Sequence, residues 1–292
     1  MEFKYYDLEG EKSGSGINHR WVQPPQIAYF VTTIDKYGNT NVTPVTMGTS
    51  FGPPHYYVFC LSNLFVPDWD GEEYIPGIKQ GYMNLKEIPE CVISYFGHDL
   101  LRESWIAGMP IPRGISELEV AGLTPLPSKK VAPCGIAECP VNMEARVIST
   151  QKVGSRWTLY TCEIVGVSVN AGYVERDNGT YGGTGVLAID PLFEVKIAKG
   201  PTEDTSGMRL YYNRMDYSRI ERCPEDIGCY DHWIGSFEQW LEDERLRGKL
   251  TEAEKGEILE LNAKWQTDLD PKVNGAVREE LTKRLKKLVQ LK

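Results

Sequence analysis

Branched and aromatic residues gather in short runs over the first two thirds of the chain, whereas beyond Asp216 apolar residues recur at helical spacing. Ile27–Ile34, Asn41–Thr46 and Tyr56–Leu61 read as three half-buried strands. The first two are joined by Asp35-Lys-Tyr-Gly-Asn39, with Gly38 available for a positive φ, which predicts a hairpin. Met47–Pro54 lacks strand alternation. It is either a plain hydrophilic connection or a bend whose backbone N–H groups are open to a planar ligand.

Further along, Tyr82–Ile88 predicts a short helix stopped by Pro89, Cys91–Phe96 a strand, and Leu100–Ile115 a helix and then a loop held open by Pro110 and Pro112. Glu117–Leu123 reads as another short helix ending near Gly122, and Leu126–Glu138 as extended chain. Val141–Ser149 and Trp157–Val169 are strands, the second apolar enough to be central, and Gly172–Thr184 reads as loop. Six or seven antiparallel strands separated by turn signals point to a mainly β fold closed as a barrel.

Tyr230–Arg247, Thr251–Gln266 and Asp270–Leu291 then read as helices. Thr251 and Glu254 form a capping box, and Asp270-Pro271 sets an N-cap before a proline at the first helical position. Val273, Val277, Leu281, Leu285 and Leu288 make one apolar stripe, with Lys283, Arg284, Lys286 and Lys287 toward the helix end. The stripe needs cover: the barrel, a partner subunit, or another protein. The expected organisation is an N-terminal arm (1–25), a barrel domain (26–200) and a helical extension (201–292).

Composition narrows the function. A formal net charge of −9 argues against non-specific nucleic-acid binding. No apolar run has the length of about 20 residues that spans a bilayer, and the N-terminus has neither a basic nor an apolar leader region, so a cytoplasmic protein is expected. Cys60, Cys91 and Cys162 read as small buried hydrophobes. The Cys134/Cys139 and Cys223/Cys229 spacings lack the C-x-x-C repeat, so free thiols are expected rather than a metal site. Asn63–Gly81 is a long excursion carrying Trp69 and Tyr74, either a lid or a surface insertion. Lys79 precedes a helix, an arrangement that suits a phosphate but is also common on plain surfaces.

Glu119-Val-Ala-Gly-Leu-Thr-Pro-Leu-Pro-Ser128, followed by Ile136-Ala-Glu-Cys-Pro-Val-Asn-Met-Glu-Ala145, closely resembles the flavin reductase-like family of flavoredoxin-type split barrels. Asn41-Val-Thr-Pro44, Pro53-Pro54 and Ile189-Asp-Pro-Leu192 add to the resemblance, which covers roughly residues 22–197. It implies an FMN-binding antiparallel split β-barrel with short helices, acting as a homodimer with FMN in a cleft between subunits. It further implies that Thr46, Met47, Gly48, Thr49 and Ser50 lie along the isoalloxazine ring and ribityl chain, with Ser62 and Asn63 also in the cofactor site. The family's phosphate signature, Lys-Asp-Thr-x-x-Asn, falls on Lys79–Asn84, with Lys79 and Asn84 matching and Gly81 in place of a hydroxyl donor. The activity implied is an oxidoreductase using NADH or NADPH as a transient co-substrate, or an electron carrier that docks a redox partner protein. Hydride transfer between nicotinamide and flavin needs no side-chain acid or nucleophile, and no catalytic residue stands out.

Overall fold

The computed structural model describes residues 26–52, 55–62, 78–154, 157–170, 174–176, 185–187, 193–197, 209–213, 236–242 and 250–290. The expected N-terminal arm and most of the 63–81 excursion lie outside these residues, as do Cys223, Cys229 and the greater part of Gly172–Thr184.

Seven strands build the main sheet: β2 (Tyr29–Ile34), β3 (Thr40–Val45), β4 (Gly48–Phe51), β5 (Tyr56–Ser62), β6 (Glu90–Tyr95), β9 (Val141–Val153) and β10 (Trp157–Val169). Their order is β3-β2-β6-β9-β10-β5-β4, with every neighbouring pair antiparallel. The outermost strands, β3 and β4, are consecutive in the chain and are linked only by Thr46 and Met47. Two residues reach at most about 10 Å between strand ends. The sheet must therefore curl until its edges nearly meet, which makes it a split barrel. Extra residues at Ile148 on β9 and Val165 on β10 interrupt the ladder register and add bend.

Alternation sorts the side chains. Tyr29, Val31, Val45, Tyr57, Phe59, Leu61, Cys91, Ile93, Ala145, Tyr160 and Cys162 fill the interior. Ala28, Phe30, Val42 and Phe96 face outward, into a second core made with helices. That core receives α2 (Leu101–Ala107), α3 (Glu117–Ala121), α4 (Phe237–Leu241), α5 (Glu252–Trp265) and α6 (Pro271–Gln290). Leu281, Leu285 and Leu288 of the C-terminal stripe are buried in it, and α6 lies on α3. The stripe is thus covered by the chain itself.

The hairpin between β2 and β3 follows from Asp35. Its carboxylate accepts the N–H groups of Tyr37 (2.9 Å) and Asn39 (2.8 Å) and the Asn39 amide (2.9 Å), while Gly38 takes φ 89°. Thr251 and Glu254 form the expected capping box on α5, and Asp270 accepts the Lys272 N–H at 2.9 Å.

Several local expectations are corrected. Met47–Pro54 is not simply loop, because Gly48–Phe51 pairs with β5. All four β4 residues are exposed, so no buried face imposed an alternating pattern. The first run divides: Gln26–Ile27 is a separate strand, β1, in a sheet with β13 (Phe193–Ile197) and β14 (Arg209–Asn213). Leu126–Glu138 contains a small ladder of β7 (Pro125–Leu126) with β8 (Gly135–Ile136). Another small ladder joins β11 (Val174–Arg176) to β12 (Gly185–Leu187). Cys60 is half-buried rather than buried. Val273 is 66% exposed, because Asn274 leaves helical geometry (φ −111°, ψ 24°) and turns the first turn of α6 off the stripe. The helix expected over Tyr230–Arg247 is described only at 236–242, where Phe237–Leu241 is helical. No helix among the described residues is long and apolar enough to cross a membrane.

Candidate functional site

Helix α1 (Gln80–Glu87) starts two residues earlier than the sequence pattern predicts. Its position is set by Ile78, Tyr82, Met83 and Leu85, which join the barrel interior, Tyr82 meeting the Tyr160 ring edge-on at 6.4 Å. Lys36 N–H donates to Glu87 at 3.1 Å, so α1 lies beside the β2–β3 turn.

Lys79 sits at the N-cap of α1 with extended backbone, and no side chain caps the helix. The residue keeps partial exposure, and desolvation by the surrounding protein lowers its pKa to about 8. No acidic group opposes the shift, and among the described residues no carboxylate pairs with it. A partly desolvated cation without a counter-ion is held less favourably than one in water, and here it stands where orphan helix N–H groups also attract an anion.

A polar chain runs beneath this turn. Glu117, the first residue of α3, accepts the Asn41 amide at 2.6 Å and the Val42 N–H at 3.0 Å. Burial pushes its carboxyl up to about 8, against the lowering effect of those hydrogen bonds. Asn41 Oδ1 accepts the hydroxyl of Thr43 at 3.2 Å and, more weakly, that of Thr33 at 3.5 Å. The Thr33 hydroxyl in turn accepts the Asn84 amide at 3.1 Å. Asn84 is fully buried, and its Oδ1 has no partner among the described residues. Gly81 closes the group: a Cβ there would lie 3.0 Å from Asn41 Oδ1 and 3.2 Å from Thr43 Oγ1. Threonine hydroxyls from β2 and β3 thus crowd the space that a side chain at 81 would enter.

The second predicted segment forms the seam of the barrel. Thr46 and Met47 are half-buried, and Gly48, Thr49 and Ser50 are exposed. Met47 O accepts the Cys60 N–H at 2.9 Å, and the Thr49 hydroxyl donates to Ser50 O at 3.2 Å. β4 is the last strand of its sheet, so backbone groups on its far edge have no ladder partner there. Gly48 is required by close approach, since a Cβ would fall 2.1 Å from the Tyr29 hydroxyl and 2.4 Å from Val58 O. Tyr29, Tyr57 and Tyr95 cluster behind this strand, the Tyr95 hydroxyl lying 3.4 Å from that of Tyr57. Burial raises all three phenols above their ordinary value and keeps them neutral.

Lys79 and Asn84 therefore share one helix, and Thr46–Ser50 lies at the end of the strand that this helix touches. Thr43, beside Gly81, is about 10 Å along the strand from Thr46. Ser62 ends β5 opposite Trp157, three residues beyond the partner of Gly48; Asn63 lies outside the described residues. Sequence reasoning missed Thr33, Asn41, Thr43 and Glu117 as a group. The legible signal was polar residues two apart on an inward strand face, Asn41 and Thr43, with Asn41 opposite Thr33 in the ladder.

Residues 23–187, more than half of the chain, match the family model described as Flavin reductase like domain. YdfE of Bacillus subtilis, an uncharacterized protein, is 30% identical over 147 residues, 42% of this chain and 61% of that one. An uncharacterized protein of Pyrococcus abyssi is 36% identical over 81 residues, 28% of this chain and 45% of its own length. The chain thus spans less than two thirds of these relatives. Among solved structures, nitrilotriacetate monooxygenase component B from Bacillus cereus superposes with a TM-score of 0.52 at 18% identity, over 66% of this chain and 92% of that one. The 2-nitrobenzoate 2-nitroreductase NbaA of Pseudomonas fluorescens does so with 0.50 at 15%, over 70% and 100%. These two likenesses concern the fold. The family follows from the match across the barrel strands, from β2 through β10, together with the motifs at Glu119–Ser128 and Ile136–Ala145: this chain is a member of the flavin reductase-like family.

Proposed function

We propose that the protein is an FMN-dependent oxidoreductase, taking reducing equivalents from NADH, NADPH or another donor and passing them to an acceptor. The observation that carries this reading is the Lys79 ammonium, which stands at the start of α1 with no carboxylate partner among the described residues. A phosphate there would restore charge balance and meet the first N–H groups of the helix. The orphaned Asn84 Oδ1, an acceptor, suits a ligand hydroxyl rather than the phosphate itself. The ribityl chain and ring would extend along β3 toward Thr46, Met47, Gly48, Thr49 and Ser50, with Ser62 and Asn63 nearby.

The flavin, when bound, supplies the hydride or electron chemistry. The chain's own residues bind its phosphate, orient its ring against the exposed edge of β4, and exclude water from the side backed by neutral tyrosines. A homodimer with the ring between subunits belongs to this reading. In the alternative, an electron carrier, a protein partner would meet surfaces other than the α6 stripe, since that stripe lies in the core.

Stopped-flow mixing of FMN-loaded protein with NADH or NADPH tests the reading. Bleaching of the flavin absorbance on a turnover timescale is the expected result. Protein that takes up no FMN would end the proposal, and loaded protein reduced only by a protein donor would replace the reductase with the carrier.

A further inference from the structure

We infer that Gln80 donates a side-chain hydrogen bond to the cofactor phosphate, and that the C-terminal helices hold Gln80 in place through the Arg113–Gly114 turn; this rests on the FMN reading above. Gln80 is only 8% exposed. Its Oε1 accepts the Gly114 N–H at 3.1 Å, which settles the orientation of the amide, while its Nε2 is buried without a partner among the described residues. A sealed amide donor with nothing to donate to is costly. It belongs to the same helical turn as the unpaired Lys79 ammonium and the backbone N–H groups of Gln80 and Gly81, which have no intrahelical acceptors. The start of α1 thus offers a cation, an amide donor and two backbone N–H groups against one orphaned acceptor in the next turn, Asn84 Oδ1, which is the composition of an anion site.

The turn that fixes Gln80 is itself fixed from α5 and α6. Trp265 Nε1 donates to Arg113 O at 2.7 Å, and Gln266 Nε2 to the same oxygen at 3.1 Å. Arg278 reaches Gly114 O at 3.4 Å through Nε and pairs with Glu119 at 2.8 Å through its terminal nitrogen. Gly114 adopts φ 79° with Trp265 packed directly against it. Residues 265–278 lie outside the segment that matches the family model. A part of the chain beyond the family domain therefore reaches the cofactor corner through two residues, Gly114 and Gln80.

Comparing FMN with riboflavin isolates the phosphate. Fluorescence titrations of the full chain are expected to show tighter binding of FMN. Gln80→Met raises the FMN Kd about tenfold and leaves that of riboflavin within about twofold. Gln80→Glu keeps the acceptor for Gly114 N–H but puts a carboxylate where the donor was, and weakens FMN at least as much. Trp265→Phe, far along the chain, raises the FMN Kd about two- to fivefold, again sparing riboflavin. Thermal midpoints establish that each variant is folded. An unchanged FMN Kd in Gln80→Met, or parallel losses for both ligands, would overturn the inference. A wild-type protein that binds both flavins equally would instead reject the phosphate site, and the inference with it.

Discussion

Gly114 and Trp265 meet so closely that a Cβ on residue 114 would lie 2.8 Å from Cζ2 of the indole. The glycine is also held at φ 79°, where other residues are strained. Gly114→Ala is therefore expected to destabilise the protein by about 2 to 4 kcal/mol, strain and overpacking acting together. Urea unfolding checks it: a midpoint unchanged from wild type would mean that the indole moves aside freely.

Trp265→Ala removes a fully buried side chain and the shorter of the two hydrogen bonds to the Arg113 carbonyl, leaving the one from Gln266. A loss of about 3 to 5 kcal/mol is expected, whereas Trp265→Phe keeps most of the packing and costs less. Denaturation of the two variants side by side separates apolar contact from the hydrogen bond.

Lys79→Ala is expected to weaken FMN binding by about 1 to 3 kcal/mol, the range for charge-assisted hydrogen bonds. Burial lowers the Lys79 pKa from 10.5 to about 8, so the unfolded chain binds more protons between those values. In the free protein this group's contribution to stability accordingly rises with pH over that window and is lost as pH falls through about 8. FMN affinity moves the other way, declining above about pH 8 as the ammonium discharges, while riboflavin affinity stays level. Titrations from pH 7 to 10 on wild type and Lys79→Ala test this, and a pH-dependent loss that persists in the variant would exclude Lys79 as its source.

Glu117 carries the opposite sign. Its folded-state pKa is raised from 4.5 to about 8, so its contribution to stability is fully present below about 4.5 and lost as pH rises through about 8. Glu117→Gln is expected to flatten the decline in thermal midpoint across that window while keeping one acceptor for Asn41 or Val42. Equal slopes in the two proteins would assign the pH dependence to other groups.

Gly48→Ala brings a methyl group against the Tyr29 hydroxyl and Val58 O. Displacement of β4 is expected, read out as loss of flavin binding and lower stability together. Full binding by this variant would show that the seam strand has no part in the site.

The barrel was legible because its inward residues recur at every second position, as Tyr57, Phe59 and Leu61 do on β5. Strand β4 was not, since an edge strand exposed on both faces has no apolar alternation to display. The corner at the start of α1, proposed as the phosphate site, was half legible. A lysine before a helix can be read from sequence, but its desolvation depends on packing by residues far away in the chain. Gln80, Glu117 and Arg278 gave no local sign of their roles, because each acts on a partner at least 34 residues distant. The stripe on α6 announced burial correctly without identifying what would cover it, and the exposed Val273 shows that one irregular residue, Asn274, can undo periodicity for a turn.

The two residues that carry the chain from one margin of the sheet to the other, Thr46 and Met47, behave as the clasp of a hoop. Covalent geometry limits how far the two sheet edges can part at that end, so β3 and β4 cannot separate there as freely as strands held by hydrogen bonds alone. Under the proposed function, a ring laid against the clasp would meet a wall held in place by the chain itself, and selectivity would be set on the opposite, solvent-facing side of that ring.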